Sequence, residues 1–151
     1  MSSLQGLALV VFAIFAGALI SLQAPINAMA GQRLGHPLAG ATLSFIVGTA
    51  FLVVVTAVLA GKQVNSGAVS SMPPLLFLGG ILGALYVSLS IWLTPKIGIG
   101  AVIALGIAGQ VLASLALDHY GLLNLAVREI TPGRLSGAVM VVAGSLMVRY
   151  L

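Results

Sequence analysis

The stretch LQGLALVVFAIFAGALISLQAPINAMA, Leu4 to Ala30, decides the fold, because it carries no charged side chain from end to end. A helix rises about 1.5 Å per residue and the hydrocarbon core of a bilayer is about 30 Å thick, so about 20 such residues are enough to cross it. In lipid every backbone N–H and C=O must be satisfied within the segment, which makes this stretch an α-helix. Ala28-Met-Ala30 has the form of a signal-peptidase site. Met1 to Gln5 holds no Lys or Arg, however, and the apolar run is too long for a signal peptide, so the helix is expected to be retained.

Four more charge-free stretches follow, at 37–60, 72–94, 97–117 and 135–148. The segments between them are turn chemistry: Gly31-Gln-Arg-Leu-Gly-His-Pro37, Gly61-Lys-Gln-Val-Asn-Ser-Gly67, Pro95-Lys-Ile-Gly98 and Thr131-Pro-Gly133. The expected architecture is all-α, one polytopic domain over residues 1–151 with five transmembrane helices at about 4–30, 37–60, 72–94, 97–117 and 135–148. The third connection is short enough to make its two helices a tight antiparallel hairpin. The fourth, Asp118 to Pro132, has room for an interfacial segment.

Composition agrees. Of 151 residues, 60% are hydrophobic and 5% charged, with a mean hydropathy of +1.22, which a water-soluble domain could not carry on its surface. The net charge of +4 is spread too thinly to neutralise a run of phosphates, which argues against nucleic acid as a partner. With no cysteine there is no disulfide, iron–sulfur or Cys-zinc chemistry, and no cofactor or metal is expected. His36, His119, Asp118 and Glu129 are too scattered for a catalytic cluster, so an enzyme is not expected.

With five crossings, Lys62, Arg128 and Arg134 fall on one side of the membrane and Arg33, Lys96 and Arg149 on the other. Orientation follows the Lys/Arg bias of short loops, and three against three leaves almost nothing to choose by, the alternative being that the protonated amino terminus or Arg128 beside Glu129 breaks the tie. Dual topology is the expectation. A chain inserted both ways pairs with an inverted copy of itself, giving an antiparallel homodimer of ten helices with a two-fold axis in the membrane plane.

The polar groups inside the spans are the candidate site. Gln23 and Asn27 stand four apart in the first helix, with Pro25 between them expected to kink it and free the carbonyl of Ser21. An amide in hydrocarbon costs several kcal/mol unless hydrogen-bonded, so these groups either line a polar cavity or bond to neighbouring helices. Tyr86 and Ser90 in the third helix, and Gln110 and Ser114 in the fourth, complete a candidate substrate-binding set. For Tyr86 core packing is the alternative, and for the hydroxyls a bond to the preceding turn. Gly40, Ser44 and Gly48, then Gly79 and Gly83, Gly106, and Gly133 and Gly137, form small-residue faces suited to helix packing. No Asp, Glu, Lys, Arg or His lies well inside a span, which removes the buried carboxylate of a proton-coupled drug exchanger. Asp118 and His119, at the membrane boundary, are either a proton-handling pair or a simple helix end.

Ser21-Leu-Gln-Ala-Pro-Ile-Asn27, Gly40-Ala-Thr-Leu-Ser-Phe-Ile-Val-Gly48, and Gly109-Gln-Val-Leu-Ala-Ser114 leading into Asp118-His-Tyr-Gly121 closely resemble the YdcZ-like branch of the drug/metabolite transporter superfamily. The resemblance covers essentially the whole chain. It implies a half-size, five-helix protein of the bacterial inner membrane, related to full-length members that carry two inverted five-helix halves around a central cavity. Transport of a small-molecule substrate by alternating access follows as the expected function. A structural or accessory membrane subunit and a passive channel are the alternatives.

Overall fold

The computed structural model describes the backbone of residues 3–151 and the side chains of residues 5–151. Among the described residues the regular elements are α1 (Ser3–Leu34), α2 (Pro37–Ala60), α3 (Leu78–Ile97), α4 (Ile99–Tyr120) and α5 (Pro132–Tyr150), with short 3-10 turns at Ser66–Ser71, Pro74–Phe77 and Leu122–Asn124. Two compact units divide the chain, Met1–Trp92 and Leu93–Leu151.

In the first unit α1 continues past the expected end at Ala30. Gly31 does not stop it; Gly35 does, at φ +81°, a backbone angle that L side chains rarely adopt. The helix passes through Pro25 as one uninterrupted element. Pro37 opens α2 in its first turn, where a missing N–H costs nothing, and His36 caps it by accepting the Leu38 N–H on Nδ1 at 3.2 Å. The third apolar stretch begins at Met72, but Pro73 and Pro74 each lack a donor, so the chain first makes a 3-10 turn and α3 starts at Leu78. It then runs through Pro95 to Ile97, beyond the expected end at Thr94.

In the second unit a single residue, Gly98 at φ +81°, separates the end of α3 from α4. Gly121, in the left-handed conformation, ends α4 and donates its N–H to the carbonyls of Leu117 and Asp118. Thr131 caps α5, its Oγ1 accepting the Arg134 N–H at 3.3 Å, and Pro132 follows at the first helical position. This cap starts α5 three residues before the expected Leu135.

Among the described residues, four helical segments are long and apolar enough to cross a membrane: Gln5–Leu34, Pro37–Ala60, Pro74–Ile97 and Ile99–Tyr120. Helix α5 is not one of them; it carries Arg134 and Arg149 near its ends. Large apolar side chains point outward all along the spans, from Phe12 at 69% exposure to Val58 at 76%. In lipid these are solvated rather than wasted. What is buried is mostly small: Ala24, Ala41, Ser90, Ala101, Ala108, Ala138 and Ser145. Helices in a bilayer gain no hydrophobic drive from meeting one another, so they meet where small residues let their backbones approach.

Candidate functional site

Helices α1 and α2 form an antiparallel hairpin whose closest approach involves two glycines. A Cβ at Gly31 would lie 2.9 Å from the Cα of Pro37, and one at Gly40 would collide with the carbonyl oxygen of Asn27 and the amide of Gly31. The covered row on α1 is Ala24, Asn27 and Gly31, at helical spacings of three and four. Asn27 is therefore only 3% exposed, and its side-chain Nδ2 has no hydrogen-bond partner. A buried donor left unpaired costs about 1–3 kcal/mol. Gln23, one residue before the covered row, lies exposed.

Beside this hairpin, still within the first unit, an open groove of about 730 Å³ runs along α2. Leu38, Ala41, Phe45 and Ile46 form much of its wall, Thr42 and Thr49 add hydroxyls, and α3 contributes Ala84 and Ser88. The Thr42 hydroxyl donates to the Leu38 carbonyl at 2.9 Å, so its lone pairs are what it offers the groove. A second open cavity of about 460 Å³ continues from Thr49 toward Thr56, Gly61 and Ser66. The threonines recur at 42, 49 and 56, a seven-residue period that keeps them on one face of α2. That period was the signal available in the sequence for this groove, and the polar-residue inventory missed it.

Tyr86 is half-buried but does not line the groove, since it stands about 200° around α3 from Ala84 and Ser88 at about 100° per residue. Ser90 is buried, and its hydroxyl donates to the Tyr86 carbonyl at 2.8 Å. In the second unit Gln110 and Ser114 are both exposed on α4, one turn apart, and the Ser114 hydroxyl donates to the Val111 carbonyl at 2.9 Å. Of the packing residues, Gly40 makes the tight contact just described and Ser44 is half-buried. Gly48, Gly79, Gly83 and Gly137 have open space where a Cβ would project. Gly133 lies at the start of α5, 4.0 Å by its Cβ position from the Thr131 hydroxyl, and Gly106 is half-buried in α4.

Asp118 forms an ion pair with Arg134, whose Nη2 donates to Oδ2. The same guanidinium donates from Nη1 to the carbonyls of Arg128 and Glu129, each at 3.2 Å. The Arg128 N–H in turn donates to the Asp118 carbonyl at 2.9 Å. Together these bonds make a clasp that closes the α4–α5 hairpin. The Asp118 carboxylate thus has a structural partner, while His119 is exposed, with its ring edge-on to Tyr120 at 5.0 Å between centroids. Arg134 figured in the sequence only as one basic residue among six.

A family model described as "Putative inner membrane exporter, YdcZ" matches residues 8–147 of this chain. Searches of the curated proteins and of the solved structures return no match.

Proposed function

Because the chain belongs to the YdcZ family and is a multi-pass inner-membrane protein, we propose that it is a half-size transporter that moves small neutral or zwitterionic metabolites, or drug-like compounds, by alternating access. Its working form on this reading is an antiparallel homodimer of ten helices. α5 supplies the fifth crossing, and each copy is a single five-helix domain. The even split of Lys and Arg supports insertion in both orientations, which builds an inverted repeat from one chain. Gln23 and Gln110 support assembly, since an exposed amide within a span needs protein or water against it rather than acyl chains.

The observation that carries the reading is the buried, unpaired Nδ2 of Asn27. It is a donor covered by α2 and left without an acceptor, so on this reading a rearrangement of the α1–α2 hairpin presents it to a substrate acceptor. Within the first unit Asn27 and Gln23 supply hydrogen bonds without fixed charge, Tyr86 an aromatic face and Ser90 a secondary hydroxyl; Gln110 and Ser114, on α4 of the second unit, are proposed as substrate contacts in their own right. The test is flux into proteoliposomes across a panel of uncharged and zwitterionic solutes, with counterflow to distinguish a carrier from a channel. Asn27→Ala removes an unpaired polar group, so the protein is expected to fold as well as before and yet lose flux; Tyr86→Leu and Gln110→Leu are expected to abolish it. Wild-type flux in all three variants would discard the site. Orientation is tested with single cysteines at positions 2 and 151 labelled in intact cells: both ends must react from outside in part of the population. Termini that always share one side would remove the fifth crossing, and a single fixed orientation would remove the antiparallel dimer.

A further inference from the structure

We infer that the α4–α5 connection, residues 121–131, is an interfacial anchor. Its apolar side chains sit at the boundary between headgroups and acyl chains of the membrane that α4 crosses, and so fix the depth of the α4–α5 hairpin. The connection carries Leu122, Leu123, Leu125, Val127 and Ile130, all between 39% and 68% exposed. In water such a cluster would be expelled toward a core. Here it is prevented from turning inward. Gly121, Leu123 and Asn124 all have positive φ, the Leu125 N–H donates to the Leu122 carbonyl at 3.1 Å, and the Asp118–Arg134 clasp ties the far end down.

The geometry also sorts polarity. Arg134 spends its guanidinium on Asp118 and on two loop carbonyls, while the charged side chains of Arg128 and Glu129 stay exposed, as suits the headgroup side of the boundary. The bilayer is the occupant because the surface is continuous with one already in it. The connection leaves α4, a membrane-spanning segment, directly after Tyr120, which is exposed and has the amphipathic ring favoured at headgroup level. Such an anchor has work to do, since α5 is the least apolar of the long helices and has an arginine near each end. A shallow apolar plate at its N-terminal end holds it in register with α4.

The chain has a single tryptophan, Trp92, so Trp92→Phe gives a silent background. Leu123→Trp and Val127→Trp are introduced separately into it, and each full-length protein is reconstituted into phosphatidylcholine–phosphatidylglycerol vesicles that contain lipids brominated near the headgroup or near the chain end. Emission shifted to the blue of free tryptophan, acrylamide quenching several-fold weaker than for free tryptophan, and stronger quenching by the shallow bromines are expected at both positions. Water-like emission with full acrylamide quenching overturns the proposal, as would be found for a surface that awaits a soluble protein. Stronger quenching by the deep bromines also overturns it, since the segment would then be re-entrant. The two positions are read independently, so if one variant misfolds the other decides.

Discussion

The two hairpins of this molecule are closed by different physics. In α1–α2 the contact is backbone against backbone around Gly31 and Gly40, and it lies near the connection; from Leu7 to Ile20 the side chains of α1 point outward. In α4–α5 the helices meet over their whole length, from Gly100 beside Val148 at one end to the Asp118–Arg134 pair at the other. Buried residues are accordingly spread along α4 at Ala101, Val102, Ala108 and Leu115. The two hairpins touch to a similar extent, but the first gathers its contact at the base, whereas the second spreads it along the helices and adds a polar clasp. Among the described residues, the buried side-chain donor left unpaired, Asn27 Nδ2, belongs to the first.

If shape alone closes α1–α2, the smallest possible addition at the contact should open it. Glycine to alanine inside a helix normally stabilises by about 1 kcal/mol. Gly48→Ala should show that sign, because nothing stands within 4 Å of the added methyl. Gly40→Ala should reverse it, because the methyl would occupy the space of the Asn27 carbonyl and the Gly31 amide, neither of which can step aside without moving a helix. A loss of about 3 kcal/mol or more is expected. Thermal unfolding of the two variants in the same detergent decides the matter. Equal effects at 40 and 48 would mean that the glycine contact does not hold the hairpin.

The same contrast marks how far the sequence could be read. Charge-free length led to the four long apolar segments that can cross a membrane, and the Pro37 and Gly61 boundaries of α2 were legible to the residue, since both follow from local turn chemistry. Ends set by packing were not. Gly31 has the look of a stop but is a contact residue, so α1 runs on to Leu34. The spacing of Gln23 and Asn27 gave them a common face, yet the partner helix covers the row through Ala24 and Asn27 and leaves Gln23 outside. Periodicity finds faces; it does not say which edge of a face a neighbour overlaps. The clasp was beyond reach for another reason, since Asp118 and Arg134 are brought together by a connection in which Leu123, beside the more tolerant Asn124, takes a left-handed conformation that no leucine propensity favours.

If a polar clasp rather than shape closes α4–α5, its two ends should be coupled and sensitive to salt. The side chains of Arg134 and Asp118 are 32% and 26% exposed, so solvent screens the pair in part, and a coupling of about 1–2 kcal/mol is expected from a double-mutant cycle with Asp118→Asn and Arg134→Gln. The two single changes should not be equal. Asp118→Asn leaves Arg134 its bonds to the carbonyls of Arg128 and Glu129, whereas Arg134→Gln gives up those bonds together with the ion pair and should cost more. Hydrogen exchange of residues 121–131 reports the local opening, with about tenfold faster exchange for each 1.4 kcal/mol lost. Raising the salt concentration should narrow the difference between wild type and Asp118→Asn there, and leave exchange around Gly31 and Gly40 unchanged, because no ion pair closes that contact. Exchange that rises with salt in both hairpins alike would show that electrostatics does not separate them.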